Sequence, residues 1–187
     1  MAETHWRSPI ITSAITDGPT LTAAAAASCI PTANKITLPN NYWVPGKQWE
    51  ITMAGRISSV ITTPGTARFD LRIGAVVAFD SLAILLDTVA GHTSVGWFLK
   101  IFLTCRAAGA GTVTQLFGHG LWTSEDLLGV PATAPKGVLT AMLPWNTTPA
   151  LGTGFDNTLA NTVDVFFTQT AATGSMTVHQ YQVEELN

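Results

Sequence analysis

The run Arg68-Phe69-Asp70-Leu71-Arg72-Ile73 alternates charged and apolar side chains with a period of two. A strand sends such residues to opposite faces, whereas a helix would spread them around its axis, so the run predicts a β-strand with one dry and one wet face. Turn chemistry bounds it on both sides. Thr63-Pro64-Gly65-Thr66 precedes it, where Pro fixes one turn dihedral and Gly accepts positive φ, and Gly74 follows it. After the Pro45-Gly46 turn the same alternation recurs, with Trp49, Ile51 and Met53 set against Glu50 and Thr52.

The longest strand is predicted over residues 97–106. Trp97, Leu99, Ile101, Leu103 and Cys105 share one face, while Phe98, Lys100, Phe102, Thr104 and Arg106 share the other. Both faces are partly apolar, as suits a strand that packs on the core with one side and meets a second layer or another subunit with the other. The turn Ala107-Ala108-Gly109-Ala110-Gly111-Thr112 makes residues 113–118 its hairpin partner. Further strands are expected at 36–38, 57–62, 76–79, 138–143, 163–168 and 176–183. The last slips in its alternation between Val178 and Tyr181, which predicts a bulge. Residues 81–88 read equally as a strand or a helical turn, and 124–135 and 147–159, rich in Gly, Pro or Thr, read as loops. About eight to ten short strands at spacings of roughly 8–15 residues, with no long helical period, predict an all-β fold. The expected architecture is a single antiparallel, jelly-roll-like β-sandwich over residues 34–187. Residues 1–33 hold no sustained period, carry Pro9, Pro19, Pro31 and the alanines 23–27, and predict an extended N-terminal arm.

Charged residues make up 11 % of the 187 residues, less than half of the roughly 25 % usual in soluble domains. Interface centres are depleted in charge and enriched in aromatics, so this shortfall predicts a surface partly covered by neighbours. A net charge of −3 with scattered Lys and Arg supplies no basic field, and no nucleic-acid partner is expected. No run reaches the roughly 18 apolar residues of a membrane span, so no membrane partner is expected either. Thr12, Thr16, Asp17 and Pro19 interrupt the apolar stretch that a secretion signal ahead of Cys29 would need. Cys29 and Cys105 lie apart, with neither disulfide-framework nor metal spacing, and read as structural thiols.

Catalytic patterns are missing. There is no Gly-x-Ser-x-Gly elbow to present a nucleophilic serine. Gly109-Ala110-Gly111 lies between strands instead of opening a helix, so it cradles no phosphate. His5, His92, His119 and His179 lack close partners of the kind that preassemble a zinc site. Glu125-Asp126 lacks the spaced oxygen ligands of a Ca²⁺ loop and reads as a solvated pair. The chain is expected to be no enzyme and to use no metal or cofactor. Trp49 and Trp97 sit in phase with their strands and belong to the core; Trp43, Trp122 and Trp145 fall at strand ends or loops, where a partner surface is expected.

Five segments carry a family likeness: Pro45-Gly46-Lys47-Gln48-Trp49-Glu50-Ile51; Ala54-Gly55-Arg56-Ile57-Ser58-Ser59 with Thr63-Pro64-Gly65-Thr66; Leu71-Arg72-Ile73-Gly74; Trp97-Phe98-Leu99 with Leu103-Thr104-Cys105-Arg106; and Gly111-Thr112. Together they resemble a small family of tailed-phage virion structural proteins, over about residues 40–120. The resemblance implies a jelly roll and a non-enzymatic role as a capsid decoration, or cement, protein. Such a protein sits on the outer surface of the phage head as a homotrimer and binds the major capsid protein. It transfers no catalytic residue. Trp6, Ile10 and Ile11 of the arm are then expected to contact the capsid or a neighbour, and Phe98, Phe102, Trp122 and Trp145 to form the oligomer interface. The alternative is a tail- or fibre-associated, receptor-binding virion protein, with Trp122, Trp145 and the long loops at its tip.

Overall fold

In the computed structural model, which describes residues 9–127 and 140–187, the alternating segments pair into two antiparallel sheets packed face to face. The first sheet runs in the order β1 (Ile10–Ser13), β12 (Ser175–Glu185), β4 (Gln48–Ser59), β8 (His92–Ala107), β9 (Gln115–Ser124) and β10 (Thr140–Leu143). The second runs β2 (Ala26–Ser28), β11 (Asn161–Gln169), β5 (Thr66–Ile73) and β6 (Val76–Asp80). Two short strands complete it: β3 (Ile36–Leu38) pairs with β11, and β7 (Ile84–Leu85) pairs with β5.

The pairing has a simple order. β1 bonds to β12, β2 to β11, β4 to β8 and β5 to β6, so the chain forms a long antiparallel ribbon whose strand pairs fall alternately in one sheet and the other. A ribbon rolled in this way is a jelly roll. β9 and β10 then widen the first sheet beyond the roll, and β9 follows β8 through a hairpin in which Phe98 faces Thr123, Lys100 faces Leu121 and Phe102 faces His119.

The first two strands of the roll come from the segment expected as an arm, which corrects that expectation. β1 pairs Ser13 with Gln182, and the chain then follows the edge of β12: the Ala14 N–H donates to Tyr181 O and the Gly18 N–H to Val178 O, each at 2.8 Å. β2 pairs Ser28 with Phe166, after which Cys29 and Ile30 enter the core. The sandwich therefore takes in the chain from Pro9 onward, not from residue 34. Both strands are short and lie at sheet edges, where one neighbour is enough and no strict alternation is needed. Edges also tolerate the nearby prolines, which have no N–H to pair.

Between the sheets, Trp49, Ile51 and Met53 of β4 and Trp97, Leu99, Ile101, Leu103 and Cys105 of β8 meet Phe69, Leu71 and Ile73 of β5 and Val163, Val165 and Phe167 of β11, all buried. Phe69 sits at the centre, its ring 5.2 Å from Trp97, 5.0 Å from Trp122 and 5.1 Å from Phe167. Burying each such side chain contributes about 1.5–3 kcal/mol. The register shift expected near Val178 lies between Val178 and Gln180. Residues 81–88 contain only the two-residue β7, while the buried Ser81 hydroxyl accepts the Phe69 N–H at 2.8 Å.

Candidate functional site

Alternation along β8, β9 and β10 turns a second set of side chains away from the core, onto the outer face of the first sheet. Phe98, Leu121 and Met142 stand exposed there, Met142 at 60 %, and Phe102 lies half-buried beside them. Register makes them neighbours. Leu121 faces Lys100 on one side and Met142 on the other, and His119 faces Phe102 and stacks on its ring, with centroids 5.5 Å apart and planes at 25°. On this face Lys100 Nζ lies 2.7 Å from Glu50 Oε1 and 5.3 Å from the Phe102 centroid, and the exposed Arg106 guanidinium lies 5.2 Å from the Phe117 centroid.

The outer face of the second sheet is built differently. Lys35 Nζ lies 2.8 Å from Asp164 Oδ2, which also receives the Ser28 hydroxyl on its other oxygen at 2.7 Å. Arg72 Nε donates to Asp70 Oδ1 at 2.6 Å while its guanidinium covers the Phe166 ring at 3.6 Å, and Arg68 pairs with Asp80 at 2.7 Å. Among the described residues, no large apolar side chain of β2, β5, β6 or β11 stands exposed on that side.

Two hollows flank residues 144–152. An open depression of about 610 Å³ is lined by His119, Met142, Pro144, Trp145, Asn146 and Thr148, among others. A smaller cleft of about 200 Å³ lies between Phe79, Gly118, Pro144 and Leu151.

Of the residues singled out in the sequence, Phe98 and Phe102 lie on the outer face. Trp145 is half-buried, its backbone N–H donates to Ser81 O at 2.8 Å, and its ring lines the larger hollow. Trp122 corrects the expectation: it is 0 % exposed, wedged edge-on against Phe69, and presents no surface to a neighbour. Ile10 is exposed on the β1 edge, Ile11 is half-buried against the core, and Trp6 lies outside the described residues. Leu121 and Met142 complete the face and were missed. Met142 falls in an expected strand, but Leu121 lies beyond the expected strand 113–118, past Gly118-His119-Gly120.

The acidic pair is also placed differently from expectation, because Asp126 is buried. The Ser59 hydroxyl donates to its Oδ1 at 2.7 Å, Oδ2 has no partner, and burial raises its carboxyl above the usual range. Nearby, Asp87 Oδ2 lies 3.0 Å from His92 Nε2. Burial opposes its ionisation, yet the bonds from His92 and the Val89 N–H hold its carboxyl below the usual range. Among the described residues no group of three or more His, Cys, Asp or Glu side chains is placed to hold a metal ion. Both thiols are free and buried: Cys29 Sγ donates to Val165 O at 3.3 Å and Cys105 Sγ to Ala107 O at 3.2 Å, and desolvation pushes both pKa values up. No helix among the described residues is long and apolar enough to cross a membrane.

Fold and geometry thus define a class, a jelly-roll β-sandwich with one apolar and one ionic outer face. No family model matches the chain, and no curated protein or solved structure matches it.

Proposed function

We propose that the protein is a non-enzymatic subunit of a phage particle, a decoration protein that binds the major capsid protein on the outer head surface as a homotrimer and stabilises the shell. The observation that carries this reading is the exposed cluster Phe98, Leu121 and Met142 on an ordered sheet face where Lys100 is paired within the chain with Glu50. The low charge of the whole chain and the resemblance over residues 40–120 support it. The work is done by mass action: a subunit that binds only the assembled shell stabilises it by about 2.7 kcal/mol per site at a free concentration of 100 times Kd. Weak contacts repeated over a lattice accumulate.

The test is retention of the purified protein by expanded, protein-depleted capsid shells. Saturable binding that is lost in Phe98→Asp/Met142→Asp supports decoration. Absence of binding moves the assignment to a tail- or fibre-associated protein that binds the host surface, a reading favoured by the open hollow beside Trp145 and Asn146.

A further inference from the structure

Asp126 is 0 % exposed, and its two carboxyl oxygens are treated unequally. Oδ1 accepts the Ser59 hydroxyl of β4 at 2.7 Å and the Asp87 N–H at 3.3 Å, while Oδ2, equally shut off from water, has no partner. A proton on Oδ2 therefore breaks no bond, because the oxygen that holds both donors remains an acceptor. Ionised in the same place, the carboxylate is a buried charge with one bare oxygen, which is a costly state.

The groups that face Asp126 decide which carboxyl takes the proton. They come from the segment between β7 and β8 and from the start of β8: the Asp87 carboxyl and the His92 imidazole. Glu125, its neighbour in the chain, stands exposed. Asp87 Oδ2 lies 3.0 Å from His92 Nε2 and its Oδ1 accepts the Val89 N–H at 2.7 Å, so both of its oxygens are bonded and its charge is supported. Two facing carboxyls in such different surroundings divide the roles, Asp87 as the ion and Asp126 as the acid. Burial is the largest influence on Asp126 and raises its pKa; the Ser59 and Asp87 N–H bonds and the field of His92 work against it, and the Asp87 carboxylate works with it.

Three segments meet at this carboxyl. The backbone O of Asp126 accepts the Asp87 N–H at 2.9 Å, Leu86 bridges to Leu127, and Ser59 brings in the end of β4. Residues 88–91 then lie outside any strand and exposed, Val89 at 62 %, until β8 begins at His92. A segment fastened by so few bonds opens at a far smaller cost than the sheets unfold.

We propose that Asp126 is a proton-operated latch: with its carboxyl neutral, residues 87–91 are held closed against the ends of β4 and β9, and when it ionises that segment opens while both sheets stay folded. Opening brings water to Asp126 and relieves the penalty on its charge, so the open state gains as pH rises and the closed state gains as pH falls. The latch depends neither on the capsid reading nor on the Phe98–Met142 face.

The test is amide hydrogen exchange of the full chain, followed residue by residue by NMR between pH 4 and pH 7 and corrected for the intrinsic pH dependence of exchange. The Asp87 amide is less protected than amides at the centres of β4 and β8 throughout, and its protection falls several-fold across that range. In Asp126→Asn, which keeps an oxygen for Ser59 and Asp87 but cannot ionise, the fall disappears. In His92→Gln, which keeps a donor for Asp87 but cannot titrate, the fall persists.

Constant protection of Asp87 in the wild type, an undiminished fall in Asp126→Asn, or an Asp87 amide as protected as the strand centres would each overturn the latch. Should Asp126→Asn misfold, His92→Gln decides: a fall that vanishes there assigns the pH response to the Asp87–His92 pair and sinks the proposal.

Discussion

The outer faces of the two sheets deal with water in opposite ways. On the second sheet, Lys35, Asp164, Arg72, Asp70, Arg68 and Asp80 are bonded to one another within the chain. Over β8, β9 and β10 of the first sheet, Phe98, Leu121 and Met142 are left to solvent although the strands that carry them are paired in register. The ionic face contributes to the stability of the isolated molecule. The apolar face contributes nothing to it, and its composition has a physical rationale only when another surface covers it. Substitutions on the two faces should therefore separate stability from association.

The largest effect is expected from removing residues 1–30. Those residues carry β1, β2, Cys29 and the buried Ile30, so the truncated chain loses two of the eight strands of the roll. Its far-ultraviolet circular dichroism should lose the cooperative thermal transition, whereas a free arm would be removed without changing it. Next in size, Arg72→Leu strands the Asp70 carboxylate, which is 2 % exposed, and should cost about 1.5–3 kcal/mol by chemical denaturation while leaving shell binding in place.

A third effect depends on pH. Asp126 has its pKa raised in the folded state, so between its unfolded value near 3.8 and the raised one the folded chain holds more protons, and stability falls as pH rises through that window. Asp126→Asn has no proton to lose. Its Tm relative to wild type should therefore climb between pH 4 and pH 7, and a constant difference would contradict the burial of that charge. Asp87, whose pKa is lowered, acts with the opposite sign but is common to both proteins. The smallest effect on stability, within about 0.5 kcal/mol, is expected for Met142→Asp on the exposed face, even as shell binding is lost.

The parts of the fold that were legible in sequence are those whose inward positions all carry large apolar groups. β8 is the best case, and the slip near Val178 was readable because Met176 and Tyr181 fall out of phase across it. β9 shows how the signal fails. Its inward positions are Leu116, Gly118, Gly120, Trp122 and Ser124, and the glycines stand where a Cβ would strike Phe79 or the Lys100 carbonyl at 2.2 Å. Close packing there erases the apolar periodicity, so the pattern ends at Gly118 although the strand runs to Ser124, and Trp122 looks like a loop residue although it is buried. β1 and β2 were hidden for a different reason, since edge strands of four and three residues hold too few side chains to show a period. The burial of Asp126 depends on partners distant in sequence, including Ser59 and the Leu86–Leu127 bridge, which no local pattern announces.

Methionine oxidation on the shell tests the interaction face most directly. Met142 is exposed, whereas Met53 and Met176 are buried and serve as internal controls under mild peroxide treatment. The account predicts that Met142 is oxidised readily in the free protein and is protected once the protein is bound to capsid shells. Oxidation of Met142 at the same rate in the free and bound states would contradict it.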